Sequence, residues 1–332
     1  RMTRLLRVEL RRVFSRRLAL ALMLLPLVFV AVGFVGVHVE LSTAEDNRAE
    51  AQRFYEQALE DWQDNGAEMV AECVEQEALE RERSGDPGID FGCDQMREPV
   101  LADFLFEPEP VQEQLLGAVA ALGLPVAVLA LLIGATTTAA EFTARSIGTW
   151  LTFEPRRDRV WGTKVLAAAI AVVPMALAYV GALALGIPLI YRINDAAGSL
   201  SSGAWSDVLA TGGRAVTVVA VAGAVGAALG MLLRNTGAVL GVLVAYTIVV
   251  EGLLRGFVGR LEPYLLTRNV EAWLRAGVEW TTFDCTPSPE GGEECVEVVR
   301  TIGLVDASLL LGGIAAGLLV LSWLLFRRSD ID

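Results

Sequence analysis

The chain has 332 residues and a net charge of −13; 54% of its residues are hydrophobic and only 20% are charged. A water-soluble domain is about 45–50% apolar, so this composition argues against a soluble enzyme. One histidine cannot form a multi-histidine metal site, and the sole lysine, Lys164, follows no glycine-rich phosphate-binding loop. We therefore expect no metal site, no catalytic site and no ATP hydrolysis by this chain itself.

Six stretches are apolar enough to cross a membrane, because about 20 mostly apolar residues span roughly 30 Å of hydrocarbon. They are residues 18–39, 115–140, 165–191, 215–233, 236–254 and 304–326. Each must be helical, since unpaired backbone groups are very costly in lipid. The predicted fold class is an all-α polytopic membrane protein with six transmembrane helices.

The charged segments between the spans predict the orientation. Of the 27 basic residues, 15 lie in residues 1–17, 141–164, 327–332 and at Arg234, and these segments hold only 6 of the 40 acidic residues. By the positive-inside rule they are cytoplasmic, so both termini lie inside a plasma membrane. The basic inner face suits anionic lipid, and nucleic acid is not an expected partner. Residues 1–17 form a predicted interfacial amphipathic helix with Leu6, Leu10 and Val13 on one face.

Residues 40–114 form the first extracellular loop and carry 22 acidic and 5 basic side chains. Helical periodicity predicts a helix over 43–65, with Ala51, Phe54, Ala58 and Trp62 on its apolar side. A second, highly charged helix is predicted over 67–83, with Met69, Val70, Cys73 and Leu79 as its apolar side, and residues 84–88 end it. The loop is interpreted as a solvated helical cap; substrate gating or partner docking is the alternative.

The other extracellular loops are residues 192–214 and 255–303. The second begins with an amphipathic stretch in which leucines and Trp273 alternate with arginines, which is typical of an interfacial or re-entrant helix. The four cysteines lie in residues 40–114 and 255–303, two segments assigned to the outside, where disulfides persist. The simplest of three connectivities pairs Cys73 with Cys93 and Cys285 with Cys295.

The spans themselves contain small residues and almost no charge. No Asp, Glu, Lys or Arg lies near the centre of a predicted span, which argues against an ion-driven carrier. Glu251 and Arg214 lie at span ends and are interpreted as interfacial anchors. Three small-residue motifs predict close helix packing: Gly226 with Gly230, Gly237 with Gly241, and Gly313 with Gly317. Prolines within spans, such as Pro174 and Pro188, each remove one backbone hydrogen bond, and the kinks they predict are either hinges of a gated path or packing adjustments.

The most informative segment is the first cytoplasmic loop, residues 141–164. Its first part is short and amphipathic, and Pro155 stops a predicted helix at Glu154. An exposed apolar stripe on this side favours a soluble partner that covers it. The apolar side chains of this stripe are Phe142, Ile147, Trp150, Leu151 and Phe153.

The loop resembles the signature of ABC-2 type transporter permeases, in which an E…G-T…L…P-x-x-R…K run joins the second and third spans. The residues that carry the resemblance are Ala140, Glu141, Arg145, Gly148, Thr149, Leu151, Thr152, Glu154, Pro155, Arg156, Arg157, Arg159 and Lys164. The basic N-terminal helix, the six spans and the ending Phe326-Arg327-Arg328-Ser329-Asp330 fit the same family. The long acidic first loop resembles a large-loop subgroup of it.

The resemblance implies a permease subunit of a bacterial ABC exporter. Two permease chains, identical or different, would pair and dock onto two copies of an ATP-binding subunit that holds ATP and Mg²⁺, while this chain binds no cofactor. Residues 141–154 would be the coupling helix. Ile147, Trp150 and Phe153 would contact the ATPase, and Glu141 and Arg145 would orient it. Gly148, Thr149 and Glu154 complete the predicted coupling site.

Two other classes stay open. The chain is alternatively a non-transporting membrane anchor or sensor whose acidic extracellular helices bind a partner, or a secondary carrier. An ATPase subunit that copurifies with the chain separates the first alternative from a permease. Transport that survives ATP depletion would favour the second. The resemblance leaves the substrate open among lipid, drug and peptide.

Overall fold

A computed structural model describes residues 2–105, 108–144, 147–148, 152, 154–196, 200–255, 259–287 and 293–328. It is 84% helical, and six of the described helices are long and apolar enough to cross a membrane. The predicted class, an all-α multi-pass membrane protein, is confirmed at this level.

The elements follow one another in a simple order. The helices are α1 (Met2–Ser15), α2 (Arg17–Ser42), α3 (Ala44–Ser84), α4 (Val111–Thr143), α5 (Arg157–Ile193), α6 (Ser202–Leu233), α7 (Thr236–Ala245), α8 (Leu266–Arg275) and α9 (Leu304–Arg328). A π-helical segment, Tyr246–Leu254, continues α7, and 3₁₀ turns occupy Cys93–Gln95, Leu101–Asp103 and Gly259–Tyr264. Strands β1 (Gly277–Pro287) and β2 (Glu293–Gly303) pair antiparallel.

Each predicted span lies within one helix or, for 236–254, within α7 and its π-helical continuation. Helices α5 and α6 are longer than predicted: α5 begins at Arg157 rather than 165, and α6 begins at Ser202 rather than 215. Hydropathy detects only the apolar part of a helix, whereas the backbone hydrogen bonds continue through the polar turns that precede it.

The chain divides into two compact units, residues 1–35 with 110–193 and 197–332, and residues 36–109 with 194–196. The core of the first unit lies between α4, α5 and α6. Its largest fully buried side chains include Leu115 and Ile133 of α4, Val172 and Tyr179 of α5, and Val219 of α6.

Glycines bring the backbones of α4 and α6 into contact. A Cβ added at Gly226 would overlap the backbone carbonyl of Leu131, and one added at Gly134 would overlap that of Gly223. A Cβ at Gly230 would lie 2.6 Å from the carbonyl oxygen of Ala135. The packing role predicted for Gly226 and Gly230 is therefore confirmed, while Gly134 and Gly223 were not identified from the sequence.

The other predicted packing glycines behave differently. A Cβ added at Gly241, Gly313 or Gly317 would meet no described atom within 4 Å, and one at Gly237 would meet only Asn235 of its own helix cap. These four residues do not pack helices together within the described part of this chain. Their motifs have the right spacing, but no described residue of another helix packs against them.

The second unit is built on α3, a single helix of 41 residues. The predicted division into two helices at Gly66 is wrong: the helix continues through this residue, which lies against the Trp62 ring. Because one interior glycine costs only about 1 kcal/mol, the flanking turns maintain the helix. The predicted end is confirmed at Gly85, whose φ of 72° is readily accessible to glycine.

A returning segment packs along one side of α3. The predicted Cys73–Cys93 disulfide is confirmed, and the rings of Tyr55 and Phe104 meet edge to face at 6.1 Å. The predicted apolar side of α3 is only partly correct. Ala51 is buried, but Phe54 and Leu79 are exposed, at 54% and 57%.

Loss of the Cys73–Cys93 bond is expected to loosen this unit by about 3 kcal/mol, because the bond closes a loop across 20 positions. In a Cys73→Ser variant, limited proteolysis should cleave residues 85–105 faster than in the unmodified chain. Added reductant should produce the same cleavage in the unmodified chain and no further change in the variant. Equal cleavage rates before and after reduction would contradict this stabilising role.

A β-hairpin follows α8 and was not predicted. Its register pairs Gly277 with Gly303 and Cys285 with Cys295. Its base packs on the bundle through Ile302, which clusters with Ala272 of α8. The prediction of an amphipathic helix in residues 255–303 is confirmed for α8, and the remainder of that loop is largely the hairpin.

The second predicted disulfide fits this register. Cys295 is disulfide-bonded, and its backbone lies opposite that of the predicted partner. The Cys285 side chain lies outside the described ones, so its pairing with Cys295 stays a prediction.

Candidate functional site

A network of buried charges joins three helices at one end of the first unit. The Lys164 Nζ atom of α5 donates to Glu9 Oε1 of α1 at 2.9 Å and to Glu141 Oε2 of α4 at 2.5 Å. The other Glu141 oxygen accepts from Arg12 Nη1 at 3.0 Å. The side chains of Lys164, Glu141 and Glu9 are only 2%, 4% and 9% exposed. We call these four residues the charge network.

Helical spacing on each element brings these side chains together. Glu9 and Arg12 are one turn apart on α1, on the side that also buries Val13. Lys164 lies one turn after Val160 and one turn before Ala168, both buried, so α5 directs it into the bundle. Arg16 extends the connection along α4, because its Nη1 donates to the carbonyl of Thr136 at 3.0 Å.

The charges of the network balance. Two carboxylates face one ammonium and one guanidinium, and Arg12 is the one member with substantial solvent exposure, at 40% of its side chain. Buried charges are tolerated when they are paired and hydrogen-bonded, and removal of one partner leaves an uncompensated charge. The network therefore fixes α1 firmly to the end of α4 and the beginning of α5.

The first cytoplasmic loop predicted from the sequence, residues 141–164, begins and ends at residues of this network. Glu141 lies two residues before the end of α4, so it belongs to the long helix rather than to a separate short one. Lys164 is the eighth residue of α5, which follows residues 144–156. Residues 144–156 therefore join two helices that one ammonium group connects.

The docking role predicted for Ile147 is not supported by its position. Ile147 is 2% exposed and clusters with Val160, Met231 and Phe326, so its side chain anchors the segment to the bundle. Glu141, predicted as an orienting group for a partner, is likewise committed to Arg12 and Lys164.

The other predicted coupling residues are less constrained. A Cβ added at Gly148 would meet no described atom within 4 Å, and Glu154 pairs with Arg159 at 3.7 Å. Arg145, Thr149, Trp150 and Phe153 lie outside the described residues.

The C-terminal end of α9 is hydrogen-bonded to α5 and α6. Trp323 Nε1 donates to Asp158 of α5 at 2.9 Å. Ser322 accepts from Trp161 Nε1 at 3.3 Å and donates to the carbonyl of Ala228 at 3.1 Å. Helices α5, α6 and α9 are thus linked by polar bonds beside the charge network.

A second polar site lies in the π-helical segment. Glu251 accepts from the Tyr246 hydroxyl at 2.8 Å, from the Thr267 backbone N–H at 3.1 Å and from the Thr267 hydroxyl at 2.5 Å. Tyr246 in turn accepts from the backbone N–H of Leu266 at 3.1 Å. The sequence suggested only an interfacial anchor at Glu251, whereas its carboxylate caps the beginning of α8, where a negative charge is favourable.

A Glu251→Gln substitution is expected to weaken this cap by about 1–3 kcal/mol, because a charge-assisted hydrogen bond becomes a neutral one. Hydrogen exchange at residues 266–270 should accelerate about tenfold or more. The matched control is Glu279→Gln, the same chemical change at an exposed position. Equal exchange rates in the two variants would refute the capping role.

The comparisons with known proteins add no relative: no family model, no curated protein and no solved structure matches the chain. Within the described residues, no group of three or more His, Cys, Asp or Glu side chains could hold a metal ion. Each charged group of the network has a hydrogen-bonded partner, and the network links α1, α4 and α5. Its position on both sides of residues 144–156 is the basis for the functional proposal.

Proposed function

We propose that this chain is the membrane-spanning permease subunit of an ATP-driven exporter of the ABC-2 type. Two permease chains pair and dock onto two ATPase subunits, which bind ATP and Mg²⁺ and supply the energy. The exported substrate is hydrophobic or amphiphilic, such as a lipid, a drug or a peptide. The complex lies in a bacterial plasma membrane with both termini of this chain in the cytoplasm.

The observation that carries the proposal is the charge network around the predicted coupling segment. A permease must convert a conformational change of its ATPase subunits into movement of its membrane-spanning helices. Residues 144–156 connect the end of α4, which contains Glu141, to the beginning of α5, which contains Lys164. Both of these side chains bind residues of α1 and each other. A displacement of the segment is therefore passed to three helices together rather than absorbed by a flexible loop.

The helix glycines that face no described atom support the pairing of two permease chains. Gly313 and Gly317 lie one turn apart on α9 and have open space beside them. Small residues at this spacing allow a second helix to approach closely in a membrane.

Copurification tests the proposal most directly. A tagged full-length chain, extracted from its native membrane in mild detergent, is expected to retain a subunit with ATPase activity. Trp150→Ala should reduce the retained ATPase about tenfold or more, as expected for loss of one large aromatic contact in an interface. Trp205→Ala, at an exposed position on α6, should retain it in full. An extract without an ATPase, or equal retention by both variants, would overturn the proposal.

The alternative is a membrane anchor or sensor that binds a partner through its acidic unit. The long helix α3 favours it, since Phe54, Val74 and Leu79 are exposed among many carboxylates. In that case, deletion of residues 44–105 abolishes partner binding. A permease, by contrast, retains its ATPase after the same deletion.

A further inference from the structure

A cavity of about 480 Å³ lies between α8, strand β2 and the beginning of α9. Tyr264, just before α8, and Asn269 of α8 line it together with Asp306, Leu309 and Leu310 of α9. Small-molecule sites measure about 300–1,000 Å³ and combine apolar walls with a few polar groups. The cavity has this size and this composition, and we call it the α8–α9 groove.

The Asn269 side chain presents a free acceptor to the groove. The residue is 1% exposed, and its Nδ2 atom donates to the backbone carbonyls of Pro263 and Leu265, both at 2.8 Å. Because both partners are acceptors, the amide nitrogen must face them and the amide oxygen must point away from them. That Oδ1 atom accepts no hydrogen bond from the described residues and retains access to solvent. A ligand that satisfies it must therefore bring a hydrogen-bond donor.

Asp306 adds a negative charge to the same groove. Its Oδ2 atom accepts from the backbone N–H of Gly303 at 3.3 Å, and its exposed side chain forms no ion pair within the described part of the chain. The other carboxylate oxygen is available to a ligand. Two acceptors, one of them charged, favour a ligand that donates hydrogen bonds and carries a positive charge. The exposed Tyr264 ring offers a face on which such a cation binds favourably.

Apolar side chains continue the groove along α9. Leu309 and Leu310 follow Asp306 by three and four positions, so they share its face of the helix. Leu309 is 71% exposed, and the predicted span 304–326 begins just before Asp306. A ligand whose charged group meets Asp306 would place an apolar chain along the two leucines and into the hydrocarbon of the membrane. This arrangement fits an amphiphile better than a small water-soluble cation.

We propose that the α8–α9 groove binds the ammonium group of a membrane amphiphile, with the hydrocarbon chain along Leu309 and Leu310. Asp306 pairs with the ammonium, Asn269 accepts one of its N–H donors, and the Tyr264 ring contacts it through the ring face. This inference does not depend on the proposed export function, since binding is measured on the purified chain without an ATPase.

Photocrosslinking of the full-length chain, purified in an uncharged detergent, tests the proposal. Decylamine with a diazirine in its alkyl chain is expected to label residues 304–316 saturably, as mapped by mass spectrometry. Unmodified decylamine should displace it, whereas decanol, an uncharged molecule of the same chain length, should not. Asp306→Asn should raise the half-saturating concentration about tenfold or more, because a charge-assisted contact is lost. Asparagine retains an oxygen for the Gly303 N–H, so the beginning of α9 is preserved.

Substitutions at two other positions complete the test. Tyr264→Leu keeps an apolar side chain but removes the ring, and it should weaken binding about threefold or more. Tyr264→Phe keeps the ring and should bind like the unmodified chain. The matched control is Asp94→Asn, the same chemical change at an exposed aspartate outside the groove, which should not alter the labelling.

Competition with short-chain phosphatidylethanolamine distinguishes two sources of the ammonium group. Displacement of the probe by this lipid identifies a lipid headgroup, and displacement by decylamine alone identifies a free cationic amphiphile. Either result supports an ammonium site. The proposal is overturned if the labelling of residues 304–316 does not saturate, if decanol competes as well as decylamine, or if the Asp306→Asn variant is labelled like the Asp94→Asn control.

Discussion

Replacing Lys164 by leucine is expected to lower the free energy of unfolding by about 3–5 kcal/mol. The substitution leaves Glu9, a nearly buried carboxylate on α1, without the ammonium that neutralises it. Glu141 retains Arg12 at 3.0 Å, so most of the loss should come from the α1 side. Equilibrium unfolding in detergent micelles, followed by helical circular dichroism, measures the change.

A second substitution should restore much of this stability. In a Glu9→Leu, Lys164→Leu double variant the buried charge is removed from both sides, and such replacements are often neutral or stabilising. The control is Arg159→Ala, which breaks a longer and more exposed pair with Glu154 and should cost less than about 1 kcal/mol. A Lys164→Leu variant as stable as the control would show that the network contributes little to the fold.

An alanine at Gly226 is expected to destabilise the bundle by about 3 kcal/mol or more. Its Cβ would overlap the backbone carbonyl of Leu131, and a backbone cannot move aside as a flexible side chain does. Helices α4 and α6 would have to separate along their length, with loss of contacts at neighbouring core residues. Thermal unfolding of the purified protein measures the effect.

The matched control is Gly313→Ala, in a motif of the same spacing on α9. Its Cβ would meet no described atom, so the substitution should leave stability unchanged or raise it by up to about 1 kcal/mol through helix propensity. A similar loss at both positions would show that glycine spacing, rather than the α4–α6 contact, accounts for the effect. If Gly313→Ala destabilises the protein only when two chains are associated, α9 lies in the contact between the two chains.

The membrane-spanning helices were predictable because hydropathy is a local property. Each stretch such as 304–326 must leave water wherever its neighbours lie, so its sequence alone identifies it. The same reasoning could not tell which glycines pack. Gly226 and Gly313 occur in identical spacings, but only the tertiary fold determines that Gly226 packs on α4 while Gly313 meets no described atom of this chain.

The sequence of the hairpin does contain a recognisable β-strand pattern. Val278, Trp280 and Thr282 alternate with polar or exposed residues along β1, and two prolines and two glycines lie between the cysteines. Alternation with this kind of turn is typical of a β-hairpin. The sequence interpretation predicts a helix only for the preceding amphipathic stretch and a loop for the remainder of residues 255–303.

The charge network was beyond sequence reasoning for a different reason. Glu9 and Lys164 are 155 positions apart, and no periodicity connects them. The positive-inside rule also accounted for Lys164 as one more cytoplasmic cation. A single lysine among many arginines was the available hint, and its significance depends on burial, which only the fold reveals.

That lysine also gives the molecule a built-in chemical reporter. Lys164 is the sole lysine in the chain, and its amine is enclosed by two carboxylates and almost inaccessible to water. An acylating reagent such as a succinimidyl ester thus has one side-chain target, which becomes reactive only when α1 separates from α4 and α5. The labelling rate of this amine, read by mass spectrometry, would report the separation of α1 from α4 and α5 without any introduced probe.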